Sequence, residues 1–89
     1  MFVERELTVI NQAGLHLRVA SKIVKLLNDF QCDATIFFDG REANAKSIMS
    51  LTQLIAPPGS VLKLRTTGPD AYRAAVELEK LFRNKFEED

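Results

Sequence analysis

The sequence predicts an α+β sandwich, with helices laid on one face of a sheet. Three observations predict it. Apolar residues alternate at Leu7 and Val9 and again at Leu62 and Leu64, the period of half-buried strands. They recur at helical spacing over Val19, Ala20, Ile23, Val24 and Leu27, and over Ala71, Ala74, Ala75, Leu78, Leu81 and Phe82. Asp39-Gly40 marks a tight hairpin turn between two short extended runs. At 89 residues, 46% of them hydrophobic, the chain is long enough for one compact core and too short for two ordinary domains, so residues 1–89 are expected to form a single domain.

Each element follows from its local pattern. In the first run, Phe2 to Val9, Leu7 and Val9 share one face and Glu6 and Thr8 the other, while the first half is more polar. Asn11 to Gly14 is a turn, after which the stripe from Val19 to Phe30 defines a helix ending near Asn28 or Asp29. A second strand runs through Ala34, Ile36 and Phe38, and the Asp39-Gly40 turn returns the chain as an antiparallel strand at Arg41 to Asn44. Ser47 stands where a helix N-cap is favoured, ahead of Ile48, Met49, Leu51 and Leu54. In so short a helix, Leu51 and Leu54 supply the buried face and leave Ile48 partly exposed. Pro57-Pro58-Gly59 stops it, and Val61 to Thr67 alternates again with Leu62 and Leu64 inward. Gly68-Pro69-Asp70 supplies the proline and acid expected in the first turn of the last helix. The tail, Asn84 to Asp89, is polar apart from Phe86 and is expected to fray.

Composition narrows the function. Twelve basic and twelve acidic residues cancel, removing the broad attraction that nucleic-acid or anionic-membrane binding uses. An RNA-binding reading is weakened further by the lack of an aromatic stacking platform. The apolar stretches fall short of the roughly 20 residues of a membrane helix. The chain opens with no secretory pattern, and its one cysteine, Cys32, cannot form an internal disulfide, so a cytoplasmic, reduced setting is expected. One His and one Cys sixteen positions apart match no zinc spacing, so no metal site is expected.

His16 is the only histidine, standing where the turn gives way to the helix. An imidazole is largely neutral and nucleophilic near pH 7, so it can accept and release a phosphoryl group. A helix start adds backbone N–H donors and the positive end of a dipole, and Arg18 adds a cation with paired donors for a phosphate. Gly14 suits a backbone conformation that other residues resist. Asn11 is either a turn residue or a phosphate contact, and Ser47 either a plain N-cap or a regulated phosphosite, two roles that are compatible.

Two separate motifs, Gly14-Leu15-His16-x-Arg18 preceded by Asn11, and Asn44-Ala45-Lys46-Ser47-Ile48-Met49, resemble those of the HPr family, the histidine-containing phosphocarriers of the bacterial phosphotransferase system. Their separation, the intervening hairpin and the length extend the resemblance over nearly the whole chain. It implies an open-faced sandwich whose four-stranded antiparallel sheet has the order 1-4-2-3 beneath three helices. It implies that Enzyme I passes a phosphoryl group from phosphoenolpyruvate to Nδ1 of His16, that the chain passes it to an EIIA domain, and that Arg18 helps hold it. The backbone N–H groups of Leu17 and Arg18 join that phosphate site. Ser47 matches the serine phosphorylated by HPr kinase, and Leu17 and Ile48 fall in the partner-docking patch, with Arg41, Lys46 and Arg18 as its polar rim. No cofactor is expected, the chain is a phosphotransfer component and not an independent enzyme, and a monomer suits a transient carrier. Asn11 is found in nitrogen-branch relatives, but the branch, sugar or nitrogen, stays open. Leu17, Val19 and Ser50 depart from the usual family residues, and Leu17 and Val19 keep in view a second reading, a regulatory binding module controlled through Ser47.

Overall fold

The computed structural model describes residues 2–87. Its elements are β1 (Phe2–Thr8), α1 (Leu17–Leu27), β2 (Asp33–Phe38), β3 (Arg41–Asn44), α2 (Ile48–Thr52), β4 (Val61–Thr67), α3 (Ala71–Arg83) and a closing turn, Lys85–Glu87. The sheet is antiparallel in the order β1-β4-β2-β3. Its register sets Leu7 opposite Leu62 and Ile36 opposite Leu64, so the alternating apolar residues form one buried row that meets Val19, Ala20, Ile23 and Leu27 of α1 and Ala74, Ala75, Leu78 and Phe82 of α3. Leu51 and Leu54 extend this core under α2, which packs against α1.

The outer face of the sheet is charged. Arg65 donates from Nε and Nη2 to Glu4 Oε2, at 2.9 and 2.7 Å, and its guanidinium lies 5.3 Å from the Phe2 ring and 5.8 Å from that of Phe37. The Arg65 hydrogen bonds hold the Glu4 carboxyl below its ordinary value; desolvation opposes them, and the charges of Lys63 and Arg65 add to them.

Three expectations need correction. Helix α1 ends where expected, at Leu27 with Asn28 as C-cap, but Phe30, placed in its apolar stripe, lies in the turn beyond it. Pro69 and Asp70 precede α3 and are not in its first turn. Gly68, at φ +129, brings the chain so close to the α1–β2 loop that an added Cβ would lie 3.0 Å from Gln31 O, and Asp70 Oδ2 accepts from the Gln31 N–H at 2.8 Å. Asp70 therefore ties two loops together. The tail does not fray through Glu87: Lys85, Phe86 and Glu87 have φ of 54, 56 and 61, a turn of left-handed backbone that drives Phe86 fully into the core. Its ring stands edge-on to Phe82 at 4.6 Å, and its carbonyl accepts from Lys22 Nζ at 2.6 Å. The remaining tail residues, Glu88 and Asp89, and Met1 of the expected 1–89 domain, lie outside the described residues.

Candidate functional site

The loop before α1 is built on its backbone. Val9 exchanges hydrogen bonds with Ser60 and Gly59, at 2.9 and 2.7 Å, which fixes the end of β1 against the loop leading to β4. Asn11 is fully buried and donates from Nδ2 to Gly14 O at 2.9 Å, closing the turn from inside, while its Oδ1 is buried without a hydrogen-bond partner among the described residues; the turn role is the one this geometry carries. Gly14 has φ +75, and an added Cβ would stand 2.8 Å from Ala56 O. The same carbonyl accepts from the Leu15 N–H at 2.9 Å, so the turn and the α2–β4 loop are clamped together immediately before His16.

His16 is the N-cap of α1, extended at φ −103, ψ −178, and partly exposed. Its Nδ1 accepts from the Arg18 backbone N–H at 3.2 Å. A ring nitrogen that accepts holds a lone pair, so the ring proton belongs on Nε2. No acidic side chain lies in the first turn of α1, so the positive end of the helix is not neutralised from within that turn. Leu17 is 66% exposed and Arg18 is exposed, whereas Val19, Ala20 and Ile23 turn into the core. The fold thus separates a polar, nucleophile-bearing rim from the buried stripe that anchors it.

The second motif caps α2. Ser47 Oγ accepts from the Ser50 N–H at 3.2 Å, and Ser50 Oγ accepts from the Asn44 N–H at 3.0 Å, a pair of bonds that fastens the end of β3 to the helix. Ser47 and Ile48 are partly exposed and Met49 is 73% exposed, while Leu51 is buried. The rim expected of Arg41 and Lys46 has a different disposition: Arg41 donates to Gln53 O and Leu54 O, and Lys46 Nζ donates to Phe30 O at 3.0 Å. Both cations cap carbonyls at the ends of helices and loops, a use that residue type alone does not reveal. Ile55, unremarked in the sequence, is a further exposed apolar residue at 72%; the Pro57-Pro58-Gly59 stop signal gave no hint of its backbone conformation.

Among the described residues no group of three or more His, Cys, Asp and Glu side chains gathers, and no helix is long and apolar enough to cross a membrane. Cys32 is buried, and burial pushes its thiol up, away from thiolate chemistry, against a smaller opposing effect of Lys46.

Residues 3–84 match the family model described as the PTS HPr component phosphorylation site. The chain is 45% identical to phosphocarrier protein HPr of Xylella fastidiosa over 87 residues, 98% of each chain. It is 31% identical to phosphocarrier protein NPr of Escherichia coli over 90 residues, covering the whole of both. The crystal structure of HPr from Thermoanaerobacter tengcongensis superposes with a TM-score of 0.93 at 33% identity, covering 98% of each chain. A matching sheet order, an N-capping histidine at the head of α1 and likeness along the full length converge: the chain belongs to the HPr family of phosphocarrier proteins, phosphotransfer components of the phosphotransferase system.

Proposed function

We propose that His16 is the phosphoryl acceptor of this carrier, taking the group from phosphorylated Enzyme I and giving it to an EIIA domain, the partners that the family implies. The observation that carries this is the bond from the Arg18 N–H to Nδ1, because it leaves the nucleophilic lone pair at the positive end of α1. In the transfer, that lone pair forms the N–P bond while the bond between phosphorus and the donor breaks, its electron pair leaving with the donor atom. The Arg18 N–H, given up by Nδ1, meets a phosphate oxygen, with the Leu17 N–H beside it. The Arg18 guanidinium supplies paired donors to the same group. No metal or organic cofactor enters the step.

Ser47 is proposed as a regulatory phosphosite for a kinase of the HPr type. Its hydroxyl caps α2 and is partly exposed, so an added phosphate would sit at a helix start and place about two negative charges on the surface that Ile48 and Leu17 offer to partners. Enzyme I-dependent transfer is then expected to slow in the phosphoserine form; an unchanged rate refutes the regulation. The proposed setting is a cytoplasmic, single-domain monomer, which light scattering of the purified chain checks.

The deciding experiment for the acceptor is incubation with phosphoenolpyruvate and Enzyme I, followed by intact mass and acid treatment. One acid-labile phosphate on the wild type and none on His16→Ala is expected. An acid-stable phosphate, or one that persists in His16→Ala, refutes the assignment.

A further inference from the structure

The peptide between Gly14 and Leu15 is held at both ends. Its N–H, that of Leu15, donates to Ala56 O at 2.9 Å, and its carbonyl, Gly14 O, accepts from Asn11 Nδ2 at 2.9 Å and from the His16 N–H at 3.1 Å. A peptide that follows a glycine at φ +75 rotates easily unless something holds it, because no Cβ restricts the turn. Asn11 is the side chain that stops this rotation from within. It does so from an unfavourable place: the residue is fully buried, and its Oδ1 lies there without a hydrogen-bond partner among the described residues. Closing the turn does not require the amide. The Gly14 N–H reaches Asn11 O at 3.4 Å through the backbone alone, and Val9 is already fastened to Gly59 and Ser60. What the side chain adds is a second donor on the carbonyl that receives the His16 N–H.

We propose that Asn11 is a positioning residue for phosphoryl transfer, acting through Gly14 O on the backbone of His16, a role that rests on His16 being the acceptor. The path is short. Nδ2 fixes the Gly14 carbonyl and the carbonyl fixes the His16 N–H. His16 is thereby kept extended at φ −103, ψ −178, the conformation in which its Nδ1 accepts from the Arg18 N–H at 3.2 Å. When the N–P bond forms, that N–H passes to a phosphate oxygen and no longer holds the ring. The backbone of His16 then has to keep Nδ1 in line, and misplacing a reacting atom by about 1 Å costs about 10²-fold in rate. Asn11 is 0% exposed, so replacing it leaves the docking surface as it is and its effect falls on kcat.

The test compares the wild-type chain with Asn11→Leu, which keeps the branched shape of the amide without its donor, and Asn11→Ala, which leaves a cavity. Transfer from phosphorylated Enzyme I is measured with KM and kcat separated, alongside thermal melts and the imidazole ¹⁵N signals of His16. Both variants are expected to lower kcat about tenfold, with KM within about twofold of wild type. Both are expected to mix the two ring tautomers, where the wild type keeps its proton on Nε2. Their melts should part: Gly14 O retains the His16 N–H in each, but Asn11→Leu fills the site and stays closer to the wild-type Tm than Asn11→Ala. An equal loss of kcat across two unlike stabilities is what positioning requires. Unchanged kcat or unchanged ring signals in either folded variant overturns the proposal. So does a kcat that falls only in step with Tm, which would make Asn11 a support of the fold, or a rise in KM alone, which would move its effect to docking. Failure of the acceptor reading is separable, because the wild type would then carry no acid-labile phosphate at all.

Discussion

Gly14 and Gly40 share a φ of +75 but not a neighbourhood, and this makes them a matched pair. Substituting alanine at either one places a side chain in the left-handed region, at a cost of about 1–2 kcal/mol. The lower entropy of the unfolded alanine chain offsets this by about 0.4–1 kcal/mol. At Gly40 nothing lies within 4 Å of the new Cβ, so that difference is the whole effect. At Gly14 the Cβ meets Ala56 O at 2.8 Å, Pro58 Cδ at 3.2 Å and Pro57 Cα at 3.3 Å. The carbonyl can retreat only by loosening its bond to Leu15, and two consecutive prolines stiffen the chain behind it. Overpacking of this kind costs about 1–3 kcal/mol, so Gly14→Ala is expected to fall below Gly40→Ala by that amount, about 5–20 °C in Tm for a domain of this size. Thermal and guanidinium denaturation followed by circular dichroism measure both. Equal stabilities, within about 0.5 kcal/mol, would refute the clamp between the two loops.

Arg18→Ala removes an exposed side chain, so stability should stay within about 0.5 kcal/mol while transfer to His16 falls about 10–100-fold, the worth of a charge-assisted contact; equal transfer rates would remove Arg18 from the phosphate site. Phe86→Ala deletes a fully buried ring and should cost about 3–5 kcal/mol in denaturant unfolding, whereas a loss below about 1 kcal/mol would mean that the left-handed turn contributes little to the core. Glu4 is held below its ordinary value when folded, so its contribution is present above the unfolded pKa and is lost as pH falls through the folded one. The stability gap between wild type and Glu4→Gln should therefore be visible near neutrality and close below about pH 4, as urea melts across pH would reveal.

Much of this was legible because it is local. The stripe at Val19, Ala20, Ile23 and Leu27, the Asp39-Gly40 hairpin and the Ser47 cap depend on neighbours a few residues away, and each is where its pattern sets it. Strand order is different: alternation at Leu7 or Leu62 shows which side is buried but not which strand lies alongside, and the order came from resemblance. The burial of Phe86 is not legible, because an isolated aromatic among charges has no period. Its burial depends on a left-handed turn and on Lys22, sixty-four positions earlier. The sequence alone leaves Asn11 open, because a buried amide and an exposed one have the same letter; its burial and its bond to Gly14 O come from how the turn packs. The motif points to His16 as the candidate acceptor, but its Nδ1 bond belongs to a side-chain rotamer that no sequence pattern specifies.

The pairing of β1 with β4 also bears on how the chain reaches this state. The β2–β3 hairpin closes across two residues and can form in about 1–10 μs. Strand β1 has a single neighbour in the sheet, and Leu7 must find Leu62 across most of the chain. Closing so long a loop is entropically costly before any contact rewards it, so this docking should come late, after the hairpin and α1 have condensed. Truncating Leu7 to alanine is then expected to speed unfolding far more than it slows refolding, a chevron whose unfolding arm moves while its refolding arm stays.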